Sequence, residues 1–412
     1  MSFDKLDSSV VYECGISNRI NARSISWNSS GTALAMAGSD RTTKLYSMMD
    51  LMSSSSTSGA SSSSNNASSI RELSTIAGAV DRARFHPTQD TLLATTSGSD
   101  ATVKLWDLRS STSAKAAGKI ELTGSSSSSN GMSTVDVSWS PSTSTTSNLL
   151  VVTEKNGNVH VVDTRKMGSS SSVKTPGRAN FSSNSSSSPF RKTFALRPKI
   201  VDACVFSPSG DHLVAATSEE GYGELTVWNW EASDESGKDA TAKEEKSDGN
   251  QIQIQPHKQK QYVYPAHTGP IYSFCFSPNG RKLATGGGDA VVGLWDVDTM
   301  VCSSTITRCN RFVRSVSFSY DSKIIATSTE ENSIDLANSE TGTFVGKVSM
   351  TDNNTNNNNK SSSNNRLGAN DRNAPGADEI AFHPKTHLLA CARCDSGSHS
   401  PLTVMKLSLG RQ

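Results

Sequence analysis

The sequence predicts an all-β chain, a seven-bladed β-propeller with long disordered Ser/Asn-rich loop insertions. Three observations carry this. Seven times an aromatic residue closes a short apolar run and is followed by a turn: Trp27, Phe85, Trp139, Phe206, Phe276, Phe318 and Phe382. In five of the seven the next two residues are His-Pro or Ser-Pro, ending at Pro87, Pro141, Pro208, Pro278 and Pro384. A second apolar run then usually carries an alanine, at Ala35, Ala94, Ala215, Ala284, Ala326 and Ala390. A supersecondary unit repeated this way cannot bury its apolar faces alone and must stack on its neighbours.

The unit is clearest over residues 262–300. Tyr262-Val263-Tyr264 reads as a short strand, and Ala266-His267-Thr268-Gly269 as a turn. Residues 271–276 are nearly all apolar, the pattern of a strand buried on both faces. Ser277-Pro278-Asn279-Gly280 is a hairpin turn with Pro and Gly where turn geometry favours them. Lys282-Leu283-Ala284-Thr285-Gly286 is the next strand, Gly288-Asp289 turns again, and Val291–Asp296 is the third strand, ending in Trp-Asp. Repeating this along the chain gives cores at about 20–48, 79–108, 132–164, 200–230, 270–300, 312–342 and 377–407, within one domain over 8–408. Val10-Val11-Tyr12-Glu13, ahead of the first core, is expected to complete the last blade and close the ring, which removes a free sheet edge.

The anchor aromatics are 42 residues apart between Phe276 and Phe318, a bare blade, and 54 to 70 apart elsewhere. The excess lies in polar tracts at about 51–69, 124–131, 168–188, 231–260 and 350–376. Such tracts bury too little apolar area to offset chain entropy, and the expectation is that they lengthen loops without adding domains. They also account for a hydrophobic content of only 34%.

A net charge of +1 offers no global attraction to nucleic acid or membrane. No apolar leader or run of 18 apolar residues occurs, and seven scattered cysteines fit reduced thiols, so a soluble intracellular protein is expected.

Four strands with this punctuation and a terminal Trp-Asp resemble a blade of the WD40 family. That resemblance implies a hydrogen-bonded tetrad of His267, Thr285, Asp289 and Trp295 tying three strands together, a structural rather than a catalytic set. Other units depart from the pattern: the first has Tyr46 in place of Trp, the second keeps Asp100, Trp106 and Asp107, and the fourth has Trp228-Asn229. The third ends Val161-Val162-Asp163, the sixth Ile334-Asp335-Leu336-Ala337 and the seventh Val404-Met405-Lys406-Leu407. Residues 262–348, 377–390 and 80–109, including the Ile-Asp-Leu-Ala segment in place of Trp-Asp, are similar to the WD40 subunits of THO-type transcription–export complexes. This likeness implies a nuclear, non-enzymatic scaffold subunit that couples transcription to messenger RNA processing and export, with other subunits of such a complex as partners.

Three further features carry chemistry. From Thr164 to Val201 there is no acidic residue but eight basic ones, Arg165, Lys166, Lys174, Arg178, Arg191, Lys192, Arg197 and Lys199, interleaved with Phe181, Phe190 and Phe194. Charge with aromatics holds single-stranded RNA without sequence choice, so this stretch is the candidate RNA contact, weighed against a solvated loop or an import signal. Trp106-Asp107-Leu108-Arg109 resembles the Trp-Asp-X-Arg box of propellers that serve as substrate receptors of cullin-type ubiquitin ligases, which would make Arg109 an adaptor contact; a generic peptide-binding propeller is the other alternative. Cys391-Ala392-Arg393-Cys394 has ligand spacing, but strand alternation sends the two thiols to opposite faces, so core thiols are expected and no metal. No phosphate loop, nucleotide fingerprint or nucleophile elbow occurs. No catalytic residue, cofactor or small-molecule substrate is expected.

Overall fold

The computed structural model describes residues 6–13, 21–53, 71–74, 78–99, 101–109, 116–122, 134–141, 148–154, 156–167, 172–174, 188–196, 199–231, 261–350, 376–393 and 400–409. They form seven sheets in a ring, antiparallel except for one added parallel strand, a seven-bladed β-propeller. Strand β1 (Leu6–Glu13) precedes the first blade, which is built from β2 (Ala22–Trp27), β3 (Ala33–Gly38), β4 (Thr42–Ser47) and β5 (Arg71–Ser74), with a one-turn helix α1 (Met48–Ser53) after β4. Blade two holds β6 (Arg82–Phe85), β7 (Leu92–Ser97), β8 (Thr102–Asp107) and β9 (Ala116–Glu121). Blade three holds β10 (Thr134–Trp139), β11 (Leu149–Glu154) and β12 (Asn158–Asp163); β13 (Ser172–Lys174) leaves it to join blade two, and β14 (Phe190–Ala195) completes it. Blade four is β15 (Ile200–Phe206), β16 (His212–Glu219), β17 (Tyr222–Asn229) and β18 (Gln261–His267). Blade five is β19 (Ile271–Phe276), β20 (Lys282–Gly287), β21 (Val292–Asp296) and β22 (Val301–Ile306). Blade six is β23 (Val313–Phe318), β24 (Ile324–Thr329), β25 (Ser333–Asn338) and β26 (Phe344–Ser349). Blade seven is β27 (Glu379–Phe382), β28 (Leu388–Ala392) and β29 (Leu402–Leu409), with β1 as its outer strand.

Each anchor aromatic is the last residue of its blade's innermost strand. There it packs into the core shared with the preceding blade, and the turn that follows starts the hairpin. The central residues of the second strands are buried without exception. Buried apolar side chains form seven clusters among the described residues, each sandwiched between two adjacent blades. One packs blade seven on blade one through Leu388, Ala390, Val404, Ile25 and Leu34, so the ring closes by core packing as well as by strand pairing. The pairing runs antiparallel from Leu6↔Leu409 to Glu13↔Thr403.

The structure corrects several expectations. Tyr262-Val263-Tyr264 lies in β18 and pairs with β17, so it belongs to blade four although it opens the sequence repeat that continues into blade five. Strand β19 is not buried on both faces: Tyr272 is exposed, and Ser273, Cys275 and Phe276 are half-buried, because the innermost strand faces the axis of the ring on one side. The tract at 51–69 begins inside α1, where Leu51 is buried against the blade seven–blade one core. The tract at 168–188 contributes β13, and Met350, first in the last tract, is buried. The rest of the five tracts, apart from their outermost residues, lies outside the described residues.

Candidate protein-interaction surface

The four tetrad residues form one hydrogen-bonded chain. The indole N–H of Trp295 donates to Thr285 Oγ1 at 3.0 Å, Thr285 Oγ1 lies 2.8 Å from His267 Nε2, and His267 Nδ1 lies 2.9 Å from Asp289 Oδ1. The indole can only donate and an ionised Asp289 can only accept. One assignment satisfies all four groups: Thr285 donates its hydroxyl to Nε2, and His267, neutral, donates from Nδ1 to Asp289. Asp289 also accepts from the backbone N–H of Thr268 and Val291. His267 ends β18 while the other three stand on or between β20 and β21, so the chain of bonds pins blade four to blade five. A Cβ on Gly287 would sit 2.5 Å from His267 Nδ1 and 2.6 Å from Asp289 Oδ1, so that position must be glycine.

Strand register explains why other blades lack the tetrad. Leu283 faces Trp295, Leu93 faces Trp106 and Leu213 faces Trp228; two residues further on stand Thr285, Thr95 and Ala215. Trp106 therefore donates to Thr95 Oγ1 at 2.8 Å, whereas the buried Trp228 N–H has no partner among the described residues. Ala215 occupies the threonine position, one residue out of step with Ala284. Blade three substitutes a different buried network: His160 bridges Glu154 (3.0 Å) and Thr193 (3.0 Å), and Asn156 and Asn158 donate to the second Glu154 oxygen. Nothing in the repeat pattern singled out His160.

Trp295→Phe is expected to keep the fold and lower stability by roughly 1–3 kcal/mol, the cost of a buried hydroxyl losing its donor. Asp289→Ala should cost a similar amount, with the double mutant less destabilised than the sum; additive melting shifts would show that the four groups do not act as a unit.

Two His-Pro turns form a second kind of staple. His383 Nδ1 accepts the N–H groups of Lys385 and Thr386, and Nε2 donates to the Gly31 carbonyl of blade one, with the ring edge-on to Trp27. His86 Nδ1 accepts from Thr88 and Gln89, and its ring packs edge-on against Trp139 of blade three. Trp27 and Trp139 donate back to the carbonyls of Ala381 and Arg84. Both histidines must be neutral to accept at Nδ1, and burial holds both below the usual histidine range. Because the folded pKa is depressed, their contribution is complete above the unfolded value of about 6.5 and is lost as pH falls through the folded value. The melting temperature should therefore drop between pH 7.5 and 5, and the drop should shrink in His383→Gln.

The innermost strands contact one another around the ring, and their edges are closed by small polar side chains. Ser24 and Ser26 accept from the N–H of Ala83 and Phe85; Ser273 accepts from Val316; Ser315 and Ser317 accept from Ile380 and Phe382. Each hydroxyl reaches the next blade and satisfies an edge N–H that would otherwise be unpaired. On the arc from blade seven to blade three the wall is ionic. Arg84 meets Glu379 at 2.9 Å and Asp136 at 3.9 Å, Arg82 lies 3.7 Å from Asp136, and Arg23 pairs with Asp81. Glu379 also accepts the N–H of Ile25.

The starts of first and third strands lie at the same end of antiparallel blades, and so on one face of the ring. On blades four to six that face presents Ile200 (45% exposed), Tyr222 (59%), Tyr272 (42%) and Phe312 (47%). Tyr272 and Phe312 meet in a tilted contact with 6.3 Å between centroids, Arg314 lies 5.8 Å over Tyr272, and Glu330 holds Arg314 at 2.6 Å. Aromatics framed by an oriented arginine are the composition of a protein-binding patch.

Among the described residues the basic stretch is divided between strands of different blades. Arg165 pairs with Asp163 at 2.9 Å and Lys199 pairs with Glu224, so the charge uncompensated within the stretch is partly compensated from outside it. Arg191 and Lys192 lie on β14 and Lys174 on β13, in different blades; Lys166 is exposed beside Arg165, and Arg178 and Arg197 lie outside the described residues. Phe190 packs edge-on to His160 and Phe194 to Trp228, so these rings serve the core and are not free to stack on bases; Phe181 lies outside the described residues. Arg109 is exposed and folds back onto Asp107, with Nε 2.9 Å from Oδ1. Cys391 is buried in the blade six–blade seven core and its thiol is pushed up to about 12 by burial; Cys394 and Asp100 lie outside the described residues.

Residues 69–107 and 258–296 match the family described as WD domain, G-beta repeat, and residues 136–173 match an uncharacterised protein domain, DUF2415. The chain is 25% identical over 325 residues to THO complex subunit 3 of Arabidopsis thaliana, covering 79% of this chain and 78% of that protein. It is 28% identical over 311 residues to WD repeat-containing protein AAC3 of Dictyostelium discoideum, covering 74% of this chain and 52% of that protein. A stretch of 79 residues, 19% of this chain and 13% of the relative, is 38% identical to Protein tipD of the same organism. The chain is a WD40-repeat propeller that resembles THO complex subunit 3.

Proposed function

We propose that this WD40-repeat propeller is a non-enzymatic scaffold subunit of a THO-like assembly in the nucleus, where it helps couple transcription to messenger RNA processing and export. The observation that carries the reading is the likeness to THO complex subunit 3, which runs through about four-fifths of both chains rather than through isolated repeats. The mechanism is surface presentation. Rigid blades, cross-linked by the tetrad, the His-Pro staples and the ionic inner wall, hold the patch around Tyr272 and Phe312 in a fixed geometry, so docking loses little conformational entropy. Affinity purification of the tagged full chain, read by mass spectrometry, should recover subunits of a THO-type complex. Tyr272→Ala with Phe312→Ala should reduce that recovery without lowering the melting temperature. Recovery of cullin-ligase adaptor proteins instead, lost on Arg109→Ala, would replace this reading with the ubiquitin-ligase receptor.

Within this reading RNA is a secondary ligand, contacted through the surface part of residues 165–199. Replacing Arg178, Arg191 and Lys192 by serine should flatten the salt slope of RNA binding by about 2, at roughly 0.7 per lost phosphate contact on a single strand. An unchanged slope removes RNA from the reading.

A further inference from the structure

One blade has a strand too many. Blade two is the single five-stranded sheet among the described residues, and its fifth strand is not its own. Strand β13 comes from the connection between β12 and β14 of blade three and pairs in parallel with the outer edge of β9: Ser172↔Lys119, Val173↔Ile120, Lys174↔Glu121. The other pairings between strands adjacent within these sheets are antiparallel.

The contact is specific in chemistry and small in extent. Val173 is half-buried beside Ile120, which is fully buried in the blade two–blade three core. Ser172 and Lys174 are exposed, and both act on Glu121. The Glu121 carboxyl, 2.9 Å from Lys119, is held below its usual range by that lysine first, then by the Ser172 hydroxyl, with Lys174 adding its charge. Only three residues make the ladder. Such a strand holds its place chiefly because the chain tethers it at a high local concentration, and an uncovered outer edge is a template for another chain.

We propose that the outer edge of β9 is a strand-docking site for an extended protein segment of the pattern hydroxyl–β-branched–basic, bound in parallel, and that Ser172–Lys174 is the chain's own occupant, exchanged for a partner's segment. The peptide backbone supplies the ladder, the β-branched side chain lies beside Ile120, and Glu121 reads the flanking hydroxyl and cation. The site stands on blade two and does not depend on which assembly the propeller joins.

The test uses the full chain and a fluorescent peptide of this protein's own residues 169–176, read by anisotropy. Replacing Ser172, Val173 and Lys174 by glycine keeps the length of the connection and removes the occupant's pattern. That variant should bind the peptide at least tenfold more tightly than the parent, and should exchange the amide protons of residues 119–121 faster. Adding Glu121→Lys should abolish the gain. Equal binding to parent and glycine variant, or no saturable binding to the glycine variant, overturns the proposal. An affinity unchanged by Glu121→Lys overturns the recognition chemistry assigned to that carboxylate.

Discussion

Deleting residues 6–13 should leave a propeller that is destabilised and prone to self-association. Strand β1 is the outer strand of blade seven, and it is the first described element of the chain paired with the last, β29. Val10 packs on the blade six–blade seven cluster, and Val11 and Tyr12 pack on the blade seven–blade one cluster, with Tyr12 edge-on to Tyr46 at 5.8 Å. Three half-buried apolar side chains and one lost ladder together amount to about 3–5 kcal/mol. The exposed edge of β29 then offers unpaired N–H and C=O groups to another chain. Size-exclusion chromatography should show oligomers and differential scanning a melting temperature lower by several degrees. A monomer that melts within about 2 °C of the parent would show that core packing alone closes the ring.

Glu379→Ala should be the most damaging single change on the inner wall. Its carboxylate takes one hydrogen bond from Ile25 of blade one and a close ion pair from Arg84 of blade two. Its removal leaves a cation and an edge N–H without that partner. The side chain of Arg84 is 27% exposed, against 14% for Glu379, so solvent screens part of the loss. We expect about 3 kcal/mol, the low end of the cost of breaking a buried pair. Arg84→Met in the same chain should recover part of that loss, because an apolar side chain leaves no stranded charge. Additive destabilisation by the two changes, measured by urea melts, would show that Arg84 and Glu379 are not energetically coupled.

Blade number and strand order were legible because they depend on local chemistry. The aromatic that ends each innermost strand, the turn residues after it and the buried second strand all lie within about fifteen residues of one another, a distance at which β-period and turn preferences act. The tetrad types were legible for the same reason, through the resemblance of one repeat to a family. The partition of that repeat was not. His267 is continuous in sequence with blade five, yet its strand pairs with blade four, and only the ladder Gly223↔His267 reveals this. The basic stretch misled because a count over consecutive residues cannot see Asp163 and Glu224, which reach it from one residue outside and from the next blade.

The sequence by itself determined that the chain is a ring of seven four-stranded units and where each unit turns, since those are short-range properties of apolar period, proline and glycine. Only the tertiary structure decided what joins the units. Serine hydroxyls cap a neighbour's edge, Glu379 meets Arg84 from blades that flank a third, and three residues of one blade's connection add a fifth strand to the sheet of another. The residues in these contacts lie tens to hundreds of positions apart, and each pairs with a group that carries no mark of its partner until the ring has closed and brought the two within hydrogen-bond distance.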